Sequence, residues 1–234
     1  MARELALSQT LLDRIDELGV EVTLPLRGHE TISPERSRAD APGREAVASL
    51  QRSGAADGLE MHGTLGEGGM GVVRAARQLR LGREVAVKSL RPGSIDELAT
   101  LTLLREAWVT GMLEHPNVVP VHDVSLDAEG QPHIVLKRIA GSPWAELLGR
   151  DDEVRSRFGT EDPFAWHARV LLQVANAVGF AHSRGILHRD LKPDNVMIGA
   201  FGEVYLLDWG IAVSLRDDGT GRLPLARDAV EMAG

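Results

Sequence analysis

The chain has 234 residues, 26 Lys and Arg against 34 Asp and Glu, a net charge of -8 and no cysteine. That length suits one medium domain or two small lobes; the acidic balance argues against a nucleic-acid partner; and the lack of thiols excludes disulfides and thiolate metal sites. Residues 1–18 mix charges with leucines and do not read as a secretory signal, and no apolar run reaches the roughly 18 residues of a membrane span, so the chain is read as cytoplasmic.

Residues 1–24 carry one amphipathic helical pattern, with Leu7, Leu11, Ile15 and Leu18 on one face and Gly19 as a stop. Residues 25–58 are rich in Pro, Gly, Ser, Arg and Glu and read as a flexible linker. Short strands follow. Met61 to Leu65 and Val72 to Arg77 flank a glycine-rich turn, and Arg83 to Leu90 is a third strand with Val85 and Val87 on one face and Ala86 and Lys88 on the other. A helix is expected over roughly Ile95 to Leu113, with Pro116 breaking the chain before the apolar run Val118 to Val124. Glu129 to Pro132 reads as a hairpin turn into Ile134 to Ile139, and Trp144 to Leu148 as one short helix. Arg150 to Asp162 is charged and expected to be exposed. The clearest helix runs from about Phe164 to Ser183, with Trp166, Val170, Val174, Val178 and Ala181 at helical spacing. Two apolar runs, Asn195 to Ile198 and Glu203 to Leu207, come next, and the stretch from Ser214 is polar.

Arginine is the default cation: Lys88, Lys137 and Lys192 are the only lysines. A compact ammonium and a planar guanidinium are not interchangeable at a tight site, so a lysine inside a motif is informative. The first motif is Gly66-x-Gly68-x-x-Gly71-x-Val73, between two strand patterns. Glycines allow backbone N–H groups to approach phosphate oxygens, but alone the spacing also fits an ordinary hairpin. A dinucleotide fold would place a helix directly after the glycines, whereas Val72 and Val73 begin a strand. Next comes Val85-Ala86-Val87-Lys88, which sets an ammonium two residues from a small side chain on the same strand face. Such a charge needs an acidic partner. Glu106 is best placed, mid-helix among apolar neighbours, with Glu97 and Glu114 as rivals. The strongest signal is Leu187-His188-Arg189-Asp190-Leu191-Lys192-Pro193-Asp194-Asn195, directly after the long helix. Its fixed positions arise by chance with a probability on the order of 10⁻⁴. Past Asn195 a buried-strand pattern ends in Asp208-Trp209-Gly210, a carboxylate before a bulky ring and a glycine.

In this order the motifs resemble the eukaryotic-type (Hanks-type) Ser/Thr protein kinase family, from Leu59 to the C-terminus. The resemblance implies an α+β, protein-kinase-like fold. An N-terminal antiparallel β-sheet lobe with one main helix, and the hinge, would take residues 59–139. An incomplete, mainly helical C-terminal lobe ending in the activation segment would take 140–234. Gly66, Gly68 and Gly71 would cover the ATP phosphates, and Lys88 would pair with them and with Glu106. Asp190 would accept or orient the attacking hydroxyl's proton, Lys192 would neutralise the γ-phosphoryl group, and Asn195 and Asp208 would hold Mg2+. Leu65, Val73, Ala86 and Met197 would line the adenine pocket, with Leu136 at its back and Lys137 to Ile139 as the hinge. The partners implied are ATP and a protein substrate bearing a Ser or Thr hydroxyl, and Lys192-Pro193-Asp194-Asn195 is similar to the Ser/Thr branch. Arg189 beside Asp190 implies activation-loop phosphorylation, with Ser214 and Thr220 as candidate acceptors.

Two departures qualify this. Trp209 stands where the family has Phe, and Thr110, one helical turn after Glu106, is expected to complement the indole N–H. The chain also reaches no Ala-Pro-Glu motif, so it is read as truncated within the activation segment, binding nucleotide weakly and transferring phosphate poorly on its own. Two other classes stay open. One is a non-catalytic nucleotide-binding or interaction module. The other is a small-molecule phosphotransferase of related fold, from which the Lys192 to Asn195 run points away.

Overall fold

The computed structural model describes residues 58–68, 71–91 and 96–226; the expected N-terminal helix over 1–24 and nearly all of the linker over 25–58 lie outside them. A five-stranded antiparallel sheet is built from β1 (Leu59–Gly68), β2 (Gly71–Gln78), β3 (Arg83–Ser89), β4 (Val121–Leu126) and β5 (Pro132–Lys137), in the order β1-β2-β3-β5-β4. The period-2 pattern of β3 is used on both sides. Val85 and Val87 are buried in a small cluster with Ala76 and Val135, while Ala86 and Lys88 line a cleft.

Helix α1 (Glu97–Met112) lies against this sheet. Asp96 caps it, its carboxylate accepting the Ala99 N–H at 2.7 Å. Leu103 and Ala107 pack on Ile134 of β5. The chain then runs through β6 (Gly141–Pro143), α2 (Trp144–Leu147), α3 (Asp151–Phe158) and α4 (Pro163–Ser183). Asp162 caps α4 by accepting the Ala165 N–H at 3.0 Å, and Pro163 supplies a first helical turn that needs no N–H. As the spacing predicts, Trp166, Val170, Val174 and Ala181 form its buried stripe. On its other side Phe164, Leu171 and Leu172 stand 83%, 57% and 61% exposed.

Beyond α4 come β7 (Ile186–Leu187), a 3-10 turn (Pro193–Asn195), β8 (Val196–Gly199), β9 (Val204–Leu206) and β10 (Val213–Ser214). β6, β8 and β9 make one small sheet, and β10 pairs with β7 in another. The main core joins the buried face of α4 to β8, β9, Trp209 and the α1 end, Val109 and Leu113. The chain therefore has an α+β fold, an antiparallel sheet carrying one helix followed by a mainly helical part.

The stretch expected to be exposed, Arg150 to Asp162, contains a helix that anchors the core. Val154 is fully buried, and Phe158, four residues on, stacks on Trp166 with ring centroids 4.7 Å apart. Two apolar residues on one face of an eight-residue helix are too few to raise a periodic signal against six polar neighbours. Among the described residues no helix is long and apolar enough to cross a membrane.

Candidate active site

The cleft between the sheet and the helical part has a volume of about 820 Å³. Its wall includes Leu65, Gly66, Gly68, Gly71, Val73, Ala86, Lys88, Glu106, Leu136, Ile139, Asn195, Met197 and Asp208, residues drawn from seven separate stretches of chain. β3 brings Lys88 opposite Val73 of β2 and Ile134 of β5. Its ammonium donates to both carboxylate oxygens of Glu106, at 2.6 and 2.7 Å, and lies 3.5 Å from Asp208 Oδ1. The choice among three glutamates is thus settled in favour of Glu106. That residue is 6% exposed, and burial pushes its carboxyl up, against the opposing pull of Lys88.

Asp190 and Lys192 do not line the cleft wall but are tied to it through Asn195. The Asn195 amide nitrogen donates to the Asp190 main-chain oxygen at 2.8 Å and to Asp190 Oδ2 at 3.0 Å. Lys192 Nζ donates to the same Oδ2 at 2.7 Å. These bonds, Lys192 first and Asn195 second, hold the Asp190 carboxyl below the usual aspartate range. The attachment of Lys192 to Asp190 raises its own ammonium correspondingly.

Sequence reasoning left His188 without a role. It is 2% exposed, its Nδ1 accepts the Asp190 N–H at 3.2 Å and its Nε2 donates to the Leu207 carbonyl at 2.9 Å. Burial holds it below the usual imidazole range, which keeps the neutral ring this pair of bonds requires. Leu207 N–H in turn donates to Asn195 O at 2.8 Å, so one short network links Asp190, Asn195 and the residue before Asp208. Among the described residues Arg189 (φ 70) and Asp208 (φ 56) are the non-glycine ones of positive φ, and they directly precede Asp190 and Trp209. The sequence reading also missed Ala107, Thr110, Val119, Val121 and Ile134, which extend the cleft past Leu136. Apart from Thr110 these are apolar residues that packing alone explains, and nothing local separates a wall residue from a core residue.

The three motif glycines differ. A Cβ on Gly66 or Gly68 would meet nothing within 4 Å, whereas one on Gly71 (φ +154) would stand 2.2 Å from the Ser89 carbonyl oxygen. Gly71 is therefore needed for the approach of β2 to β3, and the other two present open backbone to the cleft.

Thr110 does not complement the indole of Trp209. Its hydroxyl donates to the Glu106 carbonyl at 2.7 Å, the back-bond open to any threonine within a helix. Trp209, 1% exposed, packs 4.5 Å from the His188 ring, and its buried Nε1–H has no hydrogen-bond partner among the described residues. Ser214, expected as a phosphate acceptor, is 1% exposed, its hydroxyl donating to Arg216 O at 2.7 Å. Thr220 is exposed, its hydroxyl held by the Asp218 carboxylate.

A family model described as the protein kinase domain matches residues 59–228. Among curated proteins the chain is 39% identical over 159 residues to the serine/threonine-protein kinase PknD of Chlamydia felis. It is 38% identical over 159 residues to PknD of Chlamydia abortus and 37% identical over 158 residues to that of Chlamydia trachomatis serovar D. Each alignment covers 64% of this chain and 16% of the relative, so the chain spans about a sixth of the length of the proteins it matches. With the match running through every motif described above, the chain belongs to the protein kinase domain family.

Proposed function

We propose that this chain carries the ATP-dependent transfer of a γ-phosphoryl group to a Ser or Thr hydroxyl of a protein, in two lobes divided at residues 139/140. The observation that carries the reading is the position of Lys88, whose ammonium faces Glu106 at 2.6 Å and Asp208 at 3.5 Å across the cleft. An ammonium fixed by a buried carboxylate, with part of its hydrogen-bonding capacity directed at an accessible one, suits an anionic substrate held beside a metal ligand. The Chlamydia relatives, named as serine/threonine-protein kinases, support the Ser/Thr assignment.

The donor set fits Mg2+. Asn195 uses its amide hydrogens on Asp190, which leaves its carbonyl oxygen to accept, and Asp208 offers a carboxylate that is 42% exposed. Among the described residues no cluster of three acidic, His or Cys side chains could hold a metal alone. Two hard oxygens are what an ion that keeps water and phosphate oxygens requires. When bound, Mg2+ would neutralise charge on the β- and γ-phosphates.

The chain's own residues would do the rest. Open backbone at Gly66 and Gly68 admits phosphate oxygens, and Lys88 orients them. Leu65, Val73, Ala86, Leu136, Ile139 and Met197 exclude water from the base. Asp190, ionised and weakly basic, would align the attacking hydroxyl through a hydrogen bond and take its proton late, as the new O–P bond forms. Lys192, bonded to Asp190, would balance charge on the transferred group. An ATP-dependent reaction also places the chain where ATP is plentiful, in keeping with a cytoplasmic setting.

Radiolabelled γ-phosphate transfer to Ser/Thr peptides and to small alcohols, by the wild type and Asp190→Asn, tests this. The expected result is peptide labelling that falls by about 10²- to 10⁴-fold in the variant. Equal labelling by both proteins overturns the proposal; labelling of the alcohols alone selects a small-molecule phosphotransferase.

A further inference from the structure

Two of the three lysines, Lys88 and Lys192, make the polar contacts of the site just described, and the third, Lys137, lines the cleft at its hinge end. The chain also has a single tyrosine, Tyr205. These two residues meet: the Lys137 ammonium donates to the Tyr205 hydroxyl and lies 4.5 Å from the centroid of its ring. Lys137 is the last residue of β5, paired with Val85 of β3, and its N–H donates to the Pro120 carbonyl at 2.9 Å. It is thus fixed on the sheet, at the wall that Leu136 and Ile139 give to the cleft. Tyr205 is 8% exposed in the middle of β9 and pairs with Met197 of β8, on the opposite wall.

Along the chain only Leu206, the last residue of β9, and Leu207 separate Tyr205 from Asp208, and both are held. Leu206 N–H donates to Asn117 O at 2.7 Å, and Leu207 N–H to Asn195 O at 2.8 Å. Tyr205 and Asp208 are thus the two ends of one short hydrogen-bonded stretch, with Met197 paired beside Tyr205. The bond also answers a physical need at each end. A buried tyrosine hydroxyl requires a partner. Among the described residues Lys137 has no carboxylate within ion-pair distance. An ammonium on a flexible stem can meet a hydroxyl and the ring below it, a contact the chain's usual guanidinium makes with different geometry.

We propose that Lys137 and Tyr205 form a positioning pair that ties the hinge end of the sheet to β9, setting Asp208 at a fixed distance from the adenine wall. The inference rests on the kinase reading above. It assigns neither residue a contact with the reacting atoms. The pair governs how well one ligand can satisfy both walls together: adenosine needs only the base wall, whereas Mg-ATP needs that wall and Asp208.

The test is a double-mutant cycle on the full chain, with Tyr205→Phe, Lys137→Met and the double variant, each titrated with adenosine and with Mg-ATP. Tyr205→Phe keeps the ring and removes only the oxygen, so it changes neither packing nor net charge. The expected result is an unchanged adenosine Kd in Tyr205→Phe, the member of the pair outside the cleft wall. Mg-ATP is weakened about three- to tenfold by each single substitution and no further by both together. Losses that multiply in the double variant, equal losses for the two ligands in Tyr205→Phe, or a lowered Tm with both affinities unmoved would each overturn the proposal. A wild-type chain that binds neither ligand removes the kinase reading itself and the pair with it, a result distinct from those three.

Discussion

The Lys88 ammonium stands 2.6 Å from Glu106 Oε1 and 3.5 Å from Asp208 Oδ1, so a residue of β3 is held between a carboxylate of α1 and one at the end of β9. The first partner is buried and the second open to solvent, and the asymmetry lets one bond be structural while the other yields to a ligand.

The Glu106 carboxyl predicts a pH dependence of definite sign. Burial raises it above its ordinary 4.5, so the folded chain binds that proton more readily than the unfolded one. Its contribution to stability is complete below 4.5 and is lost as pH rises through the folded value. Function runs the other way, because protonation removes the ionised partner of Lys88. Mg-ATP affinity measured against pH is expected to fall on an acid limb that begins above 4.5, and Glu106→Gln should remove that limb. An identical limb in both proteins would mean another group is titrating.

The glycines of the turn separate fold from ligand. Gly71→Ala drives a methyl group into the Ser89 carbonyl oxygen, 2.2 Å from where its Cβ must stand, and is expected to cost about 2–3 kcal/mol of stability. Gly66→Ala meets nothing and should stay within about 0.5 kcal/mol, its effect appearing in nucleotide affinity instead. Urea melts read the first quantity and titrations the second.

Trp209 fills the core with a donor it cannot use. Trp209→Ala should lose about 3–5 kcal/mol through the cavity left behind. In Trp209→Phe the smaller ring leaves a lesser void while the stranded Nε1–H disappears, and that donor alone costs about 1–3 kcal/mol. The two effects oppose each other, so a net change below about 1 kcal/mol is expected from chemical denaturation. A loss as large as that of the alanine variant would show that the indole N–H is satisfied after all.

Ser214 and Thr220 differ in what a negative charge would do. Ser214→Asp buries a carboxylate at a position 1% exposed and should destabilise by more than about 2 kcal/mol. Thr220→Asp, in an exposed turn, should change Tm little. Equal melting temperatures for the two would contradict the burial of Ser214.

Much of this was legible in the sequence because it is local. The alternation of Val85 to Lys88 gives β3 its two faces, and the spacing from Trp166 to Ala181 gives α4 its buried stripe. The motif residues that line the cleft come from β1, β2, β3, α1 and the stretches beside β8 and β9, each placed by its own local pattern. What stayed illegible depends on pairings between distant segments. Val154 and Phe158 show a helix only once Trp166 is beside them. Ser214 looked solvated in a polar stretch until β10 paired with β7 and buried it. The bond of Thr110 was misread for a related reason: a hydroxyl one turn from Glu106 has its own helix as nearest acceptor, and the indole could not compete.

The central claim is that Asp208 and Lys88 serve one bound nucleotide together with a metal. Calorimetric titration of the full chain with ATP, with and without Mg2+, in the wild type and in Asp208→Asn, addresses it directly. The account predicts that Mg2+ strengthens binding to the wild type and that this gain is lost in the variant. Binding indifferent to Mg2+, or a gain of equal size in both proteins, would contradict it.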